Sequence, residues 1–396
     1  MKPHARPSTA VRLCVVAILI GFVCFSALAR AQGFEVIHDF TGGRDGGDPF
    51  AGLTMDRFGN LYGATFSGGS GHCGAGCGTV FRLTRSGENP EHLLTIAPDG
   101  TLYGTTVNGG GSGCAGQGCG TVYRLKPPVT IACATISCPW TETILYRFNG
   151  LDGAYPYGRV ALDAAGNVYG TGSAGGAHGE GVLFRLTPAG GQWAETTLYT
   201  FGAPNDGLEP IAGPILDSAG NLYGTTSYGG THNRGTVYEI SPSGSGWSES
   251  ILTNFERGES NPDGELVFDS AGNLFGTTYL GGAFFSGTVF ELQPKNGGWQ
   301  ETVLHEFSGD GGPNGAVLID SAGNLYGTSE TTEGRGVVFK LTAMGNGWNY
   351  SELHAFNGDD GSFAEGEVTM DSNGNLYGTT AFGGSFGFGV IWQVTP

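Results

Sequence analysis

Short apolar runs alternate with Gly-rich polar breaks through most of this chain. Around residues 213–255 the order is a run GPILD (213–217), a break SAG (218–220), a run NLYGTT (221–226) and a break SYGGTHNRG (227–235). A run TVYEI (236–240), a break SPSGSGW (241–247) and a run ESILTNF (249–255) follow. No window keeps an apolar period of 3.6 residues, and runs of this length between Gly, Ser, Asn and Asp are strand signals. The same set then recurs. The nonapeptide DSAGNLYGT stands at 217–225 and again at 320–328. The second position of the motif Gly-Asn-Leu-Tyr-Gly falls at Asn60, Thr101, Asn167, Asn221, Asn273, Asn324 and Asn375, with the last four steps 54, 52, 51 and 51 residues. Four antiparallel strands in each repeat of about 50 residues predict an all-β fold, a seven-bladed β-propeller.

Details of the pattern agree. Third-strand segments such as GTVFRL (78–83), GTVYRL (120–125), GTVFEL (287–292) and GVVFKL (336–341) are apolar on both faces, as a sheet packed between two neighbours requires. First strands begin with small residues, as in GRVALD (158–163) and GAVLID (315–320), because there is no room for bulk near an axis. Trp140, Trp193, Trp247, Trp299 and Trp348 each precede a fourth strand; covering the outer end of a blade is the expected role, sugar stacking the alternative. The segment FEVIHDF (34–40) reads as a fourth strand and GVIWQVTP (389–396) as a third, so the N-terminal strand should complete the last blade and close the ring. The first repeat departs from the rest: after GTVFRL the chain reaches LLTIAPDGTLYG (93–104) with no room for a separate fourth strand. The Asp of DSAG, at Asp56, Asp163, Asp217, Asp269, Asp320 and Asp371, is expected to cap a tight turn whose Gly takes the left-handed position.

Composition adds a compartment. Residues 1–31 combine Lys2, Arg6 and Arg12, an apolar stretch LCVVAILIGFVCFSAL (13–28) and the small-residue site ARA (29–31). That is the pattern of a cleaved signal peptide, leaving 32–396 as the propeller, secreted to the periplasm or the exterior with no membrane anchor after cleavage. The leader holds four of the 18 Lys and Arg and none of the 36 acids, so the remainder carries a net charge of −22. Such an acidic surface excludes nucleic acid and anionic lipid as partners. Glycine is abundant, at 75 residues, but shows no three-residue period, and 45 aromatic residues are incompatible with a disordered chain. Six cysteines remain in three close pairs, and in an oxidising compartment the expectation is three local disulfides: Cys73–Cys77, Cys114–Cys119 and Cys133–Cys138. Zinc is the alternative, but the two-residue spacing typical of zinc sites is absent. The expected oligomeric state is monomeric.

The segments GNLYGTTSYGGTHNRGTVYEI (220–240) and WQETVLHEFSGDGGPNGAVLIDSAGNLYGT (299–328) resemble the GloVer tandem repeat of choice-of-anchor bacterial surface proteins, over residues 34–396. The resemblance implies a secreted or surface protein and no particular activity. A sorting anchor is frequent in that group; this chain has no C-terminal hydrophobic tail to supply one. The Asp-x-x-Gly-Asn-Leu-Tyr rhythm is also loosely similar to NHL-type and gluconolactonase-type propellers, a likeness of fold only.

Candidate chemistry is sparse. G-x-S-x-G, H-E-x-x-H and phosphate-loop motifs are absent from the sequence. The acids that precede Gly between blades, Asp45, Asp152, Asp206, Asp310 and Asp360, read as turn residues, with weak calcium binding as the alternative and no cofactor otherwise. His38, His305 and His354 sit in fourth strands and read as structural. The residues that break the sevenfold pattern are His178 and Glu180, His232 and Arg234, and Glu333 and Arg335, all in loops between second and third strands. Those loops should lie on one face over the axis, at 66–77, 107–119, 173–180, 227–234, 279–286, 330–335 and 381–388, and variable loops on a constant scaffold are where binding is expected. The expected function is therefore a non-catalytic binding or scaffold module for a glycan, a protein or a cell-surface component. The alternative is a propeller enzyme, a lactonase, lyase or glycosidase using the same loop residues.

Overall fold

In the computed structural model the described residues are 33–69, 78–83, 94–127, 140–256, 259–308, 312–331, 334–345 and 347–396. They form seven small antiparallel sheets in a ring, the seven-bladed β-propeller expected. The fourth blade shows the plan: Ile215–Leu216, Leu222–Thr226, Thr236–Ser243 and Gly246–Asn254 pair in that order from the axis outward. The last blade is completed by the first strand of the chain. Gly33–Asp39 runs antiparallel to Val390–Thr395, from Gly33 opposite Thr395 to Asp39 opposite Val390. In the first blade three strands are described, Thr54–Met55, Leu61–Thr65 and Thr79–Leu83; the stretch 84–93, where a fourth would fall, lies outside the described residues.

One expectation changes. The break SPSGSGW is mostly strand: Ser241 pairs with Ser248, Pro242 with Trp247 and Ser243 with Gly246. A two-residue turn suffices because Gly244 takes φ +59°, as a tight hairpin demands. Pro242 is tolerated at this outer, solvent-facing end of the sheet.

The repeated nonapeptide is explained by one carboxylate. Asp320 Oδ1 accepts the amides of Ala322 (2.8 Å) and Asn324 (2.9 Å), while Oδ2 accepts the Asn324 amide side chain (2.7 Å) and the Tyr326 hydroxyl (3.0 Å). The set recurs at Asp56, Asp163, Asp217 and Asp371. At Asp269 a Phe replaces the Tyr, and three bonds remain. Burial alone would raise the carboxyls of Asp56, Asp163, Asp320 and Asp371, but these hydrogen bonds outweigh it and hold them below the usual range. The glycine of NLYG has a different reason. A Cβ on Gly378 would stand 2.3 Å from the Trp392 ring, so the third-strand aromatic can lie flat across the second strand.

Neighbouring blades are joined by tilted and edge-to-face aromatic contacts in a fixed direction. The Phe that ends each fourth strand meets the third-strand aromatic of the next blade: Phe40 with Phe81 at 5.1 Å, Phe148 with Phe184 at 5.0 Å, Phe201 with Tyr238 at 5.1 Å and Phe307 with Phe339 at 5.2 Å. Such pairs contribute about 0.5–1.5 kcal/mol each beyond the area they bury. Each Trp closes the other end of the same interface, as with Trp299 against Tyr223 and Trp348 against Phe275. Those indoles are half-buried in packing. At the rim, His354 stacks on Phe34 and bonds Asp360, and His305 stacks on Tyr350. Burial pushes both imidazoles down, more than their acidic neighbours raise them.

The links between blades carry a device that the repeats conceal. Asp48, Tyr155, Glu209 and Asn261 each precede a proline, and Phe363 precedes Ala364; all five adopt φ between +54° and +57°. That left-handed turn aims the two backbone groups at different blades. Asn261 N–H donates to Arg234 O of the preceding blade (3.3 Å), while its own carbonyl accepts from Tyr279 N (2.9 Å). Glu209 does the same with Glu180 O and Ser227 N, and Phe363 with Arg335 O and Ala381 N.

Candidate functional site

The links pair with the loops between second and third strands of their own blade, as Gly207–Leu208 does with Tyr228–Gly229 and Glu259–Ser260 with Leu280–Gly281. Both therefore build one face, the face expected to carry function. At its centre the first strands crowd together. A Cβ on Gly213 would lie 2.0 Å from Arg159 O, and one on Gly52 2.4 Å from Glu367 O. Second-strand threonines tie this inner ring from blade to blade: Thr171 donates to Ala212 O (2.8 Å), Thr328 to Gly366 O (2.8 Å) and Thr379 to Ala51 O (2.7 Å).

Against this constant frame, the residue that closes each link lines the axis and differs in every described blade; in four of the six it follows a left-handed residue and a proline. It is Phe50, Tyr157, Ile211, Asp263, Asn314 and Glu365 in the first, third, fourth, fifth, sixth and seventh blades. These six line one axial cavity of about 210 Å³. Its wall is apolar on one arc and carboxylate and amide on the other. The floor is a charged bridge across the ring. The Arg159 guanidinium pairs with Glu367, its Nε lies 3.9 Å from Glu265, and the Arg159 amide donates to Glu265 Oε1 at 3.1 Å. Three alternate blades, the third, fifth and seventh, are thereby tied through the channel.

The electrostatics of this funnel are unusual for a solvent-reaching surface. Burial pushes Glu265 up to about 7, and the neighbouring Glu367 carboxylate adds to it beyond what Arg159 takes back. Burial likewise lifts Asp263 to about 6, although the Ser227 hydroxyl bonds it. Glu365 reaches about 8, through burial and then through the hydrogen bond it shares with Glu330. Asn314 bonds Glu365, and the Tyr279 hydroxyl lies 3.3 Å from Glu330 Oε2. A carboxyl group protonated near neutrality, beside a second carboxyl and a phenol, can both donate and accept hydrogen bonds.

The residues singled out by their loops stand elsewhere on the face. Glu180, Arg234 and Arg335 occupy the equivalent place in three blades, just before the third strand, where their carbonyls receive the stitches from Glu209, Asn261 and Phe363. His178 and His232 are exposed on loop tips, the latter beside the Thr231 hydroxyl. Among the described residues no side-chain hydrogen bond or ion pair joins any two of His178, Glu180, His232 and Arg234. Glu333 lies outside the described residues, as do Cys73, Cys77, Cys133 and Cys138. The Cys114–Cys119 disulfide is formed, with Cys119 fully buried. Asp45, Asp152, Asp206 and Asp360 are occupied as turn caps, Asp206 accepting the amides of Gly202 (2.9 Å) and Gly207 (2.7 Å). Among the described residues no three His, Cys, Asp or Glu side chains are grouped to hold a metal ion. No described helix is long and apolar enough to cross a membrane.

The architecture is thus that of a repeat propeller. The model of the Gloeobacter/Verrucomicrobia repeat matches residues 89–333 and 248–396, and the chain belongs to that family. No curated protein matches it. Among solved structures it is similar to a candidate 6-phosphogluconolactonase from Bacteroides uniformis, with TM-score 0.50 and 15% identity over 83% of this chain and 88% of the other. It is also similar to an ulvan lyase of a new polysaccharide lyase family, with TM-score 0.52 and 10% identity over 90% of this chain and 95% of the other. At these identities the likeness is one of fold.

Proposed function

We propose that this protein is exported and acts as a binding propeller, its ligand seated in the axial funnel and the loops bearing His178, Glu180, His232 and Arg234 forming the outer rim. One observation carries the reading. The chain repeats itself at structural positions and departs from the repeat at the residue closing each link and at Arg159, Glu265 and Glu367 two positions on, and there it places acids in costly surroundings. Groups with strongly shifted ionisation in a cavity are functional candidates on physical grounds, because a purely structural site would be more stable without them. The signal-like leader and the disulfide support export.

A second reading has its own observation. Glu330, Glu365 and Tyr279 form a proton-holding set, which is what a general acid needs. In that case the funnel would turn over a ligand rather than only hold it.

The test is the pair Asp263→Asn with Glu365→Gln. It should abolish capture on a printed array of glycans and surface proteins, and should raise resistance to urea at pH 8, where the wild-type carboxyls are forced to ionise. Retained capture by this variant, with loss on replacing His178, Glu180, His232 and Arg234 by alanine, would move the site to the outer loops.

A further inference from the structure

The funnel's two arcs define the chemistry of what fits between them. On one side Phe50 and Tyr157, 39% and 53% exposed, stand with Ile211. On the other are Asp263, Asn314 and Glu365, which line the same cavity. Neither side alone is informative: exposed aromatics occur singly on many surfaces, and acids crowd many loops. Their opposition across one cavity is informative. A ligand that satisfies both walls must present an apolar face and, opposite or around it, a set of hydroxyl groups.

A pyranose ring has that construction. Its axial C–H bonds make a flat apolar face that stacks on an aromatic ring, and its edge carries hydroxyls that pair with carboxylates and amides two at a time. The cavity, about 210 Å³, is small for a drug-sized organic ligand, and the Arg159–Glu265–Glu367 bridge forms part of its lining. It has room for one ring, and an adjoining cavity of about 590 Å³ that shares Phe50, Tyr157 and Arg159 offers room for further residues of a chain. The aromatic wall continues in that direction. Phe50 meets Phe66 at 6.0 Å and Phe382 at 5.6 Å, and Phe382 meets Phe363 at 5.2 Å, all edge to face. Phe66 is 74% exposed, so the strip has free ring surface beyond the funnel.

Charge narrows the class. Among the described residues the cavity is lined by four carboxyl groups, of Asp263, Glu265, Glu365 and Glu367, against one guanidinium, of Arg159, which is already paired. A uronate in that space would meet the ionised fraction of Asp263, Glu265 and Glu365, which grows as pH rises toward 8, at short range and in reduced dielectric. We infer that the axial funnel of this protein binds the terminal ring of a glycan that is uncharged or carries amines, and discriminates against uronic-acid glycans. This assignment rests on the axial reading of function given above.

The experiment titrates the protein calorimetrically with three probes, cellohexaose, a glucosamine hexamer and a galacturonic acid hexamer. The expected result is binding of the first or second and at least tenfold weaker binding of the third. Phe50→Ala with Tyr157→Ala should weaken binding at least tenfold while keeping a single cooperative urea transition, because both rings are partly exposed and Phe50 gives up only its edge contacts with Phe66 and Phe382. Equal binding of the galacturonate, no binding of any of the three at millimolar concentration, or full binding by the aromatic variant overturns the inference. The axial reading is judged separately, by the Asp263→Asn, Glu365→Gln variant on the array. Array capture of a protein ligand lost in that variant, with no saccharide bound, would keep the site and reject the sugar.

Discussion

A single aspartate decides each turn of this propeller. Asp320 receives four hydrogen bonds from three residues within six positions of it, which is why Asp, Asn and Tyr recur together rather than separately. Asp320→Ala should cost about 2–3 kcal/mol, in the range for charged hydrogen bonds that leave partners unsatisfied, and Tyr326→Phe about 1 kcal/mol. Urea titrations of the two variants check the order, and a larger loss from the tyrosine would contradict it. The second blade provides a natural control: Ala97 stands at the aspartate position there, and Asp99 instead accepts the Thr101 amide at 2.9 Å. The turn role of these acids was legible in the sequence because Asp and Gly have strong local preferences. The partnership with Tyr six residues on was not, because it depends on the strand pairing after the turn. The funnel residues were missed for a related reason. A search for repeats rewards likeness, while Phe50, Tyr157, Ile211, Asp263, Asn314 and Glu365 have only their place in common. The signal available was that place, immediately after a proline that follows a left-handed residue in four of the six links.

At the scale of elements, the closing strand is the clearest case of a tertiary contact readable from the chain. FEVIHDF matched a fourth strand with no third strand before it, and GVIWQVTP a third with none after it, and they pair. Without Gly33–Asp39 the strand Val390–Thr395 would present an open edge, and Phe34 would leave His354 unstacked. Deleting residues 32–39 should therefore abolish cooperative unfolding and drive the protein into aggregates during size-exclusion chromatography. A monomeric, cooperatively folded deletion variant would contradict this ring closure. The long hairpin through Ser241–Trp247 was less legible. A segment of Ser, Pro and Gly reads as a loop, and only the left-handed Gly244 converts it to a two-residue turn. The stitches by Asp48, Tyr155, Glu209, Asn261 and Phe363 were not readable at all, since five different side chains adopt one backbone conformation.

For the molecule as a whole, the ionisation of its buried groups sets a pH profile. Glu249, Glu265, Glu365 and Asp263 are raised, to about 8, 7, 8 and 6, chiefly by burial. A carboxyl raised in the fold binds protons that the unfolded chain has released, so its destabilising effect is absent at low pH and grows as pH climbs to 8. His38, His305 and His354 are lowered by burial; their contribution is present above their ordinary value and is lost as pH falls through the folded one. The turn aspartates, also lowered, lose theirs only below the ordinary carboxylate range. Stability should thus peak on the acid side of neutrality, roughly between pH 5 and 6.5, and decline toward pH 8. Urea midpoints measured from pH 4 to 9 test this, and a midpoint rising steadily from pH 6 to 8 would contradict it.

Seven closely similar blades hold one unlike set of residues around the axis. A crystal structure of the protein with cellohexaose or the glucosamine hexamer tests the role of that set most directly. Density for one sugar ring is expected between Phe50 and Tyr157 on one side and Asp263, Asn314 and Glu365 on the other, beside the Arg159 bridge. An empty funnel with the saccharide held at the outer loops of His178 and His232, or on the face of the aspartate turns, would contradict it.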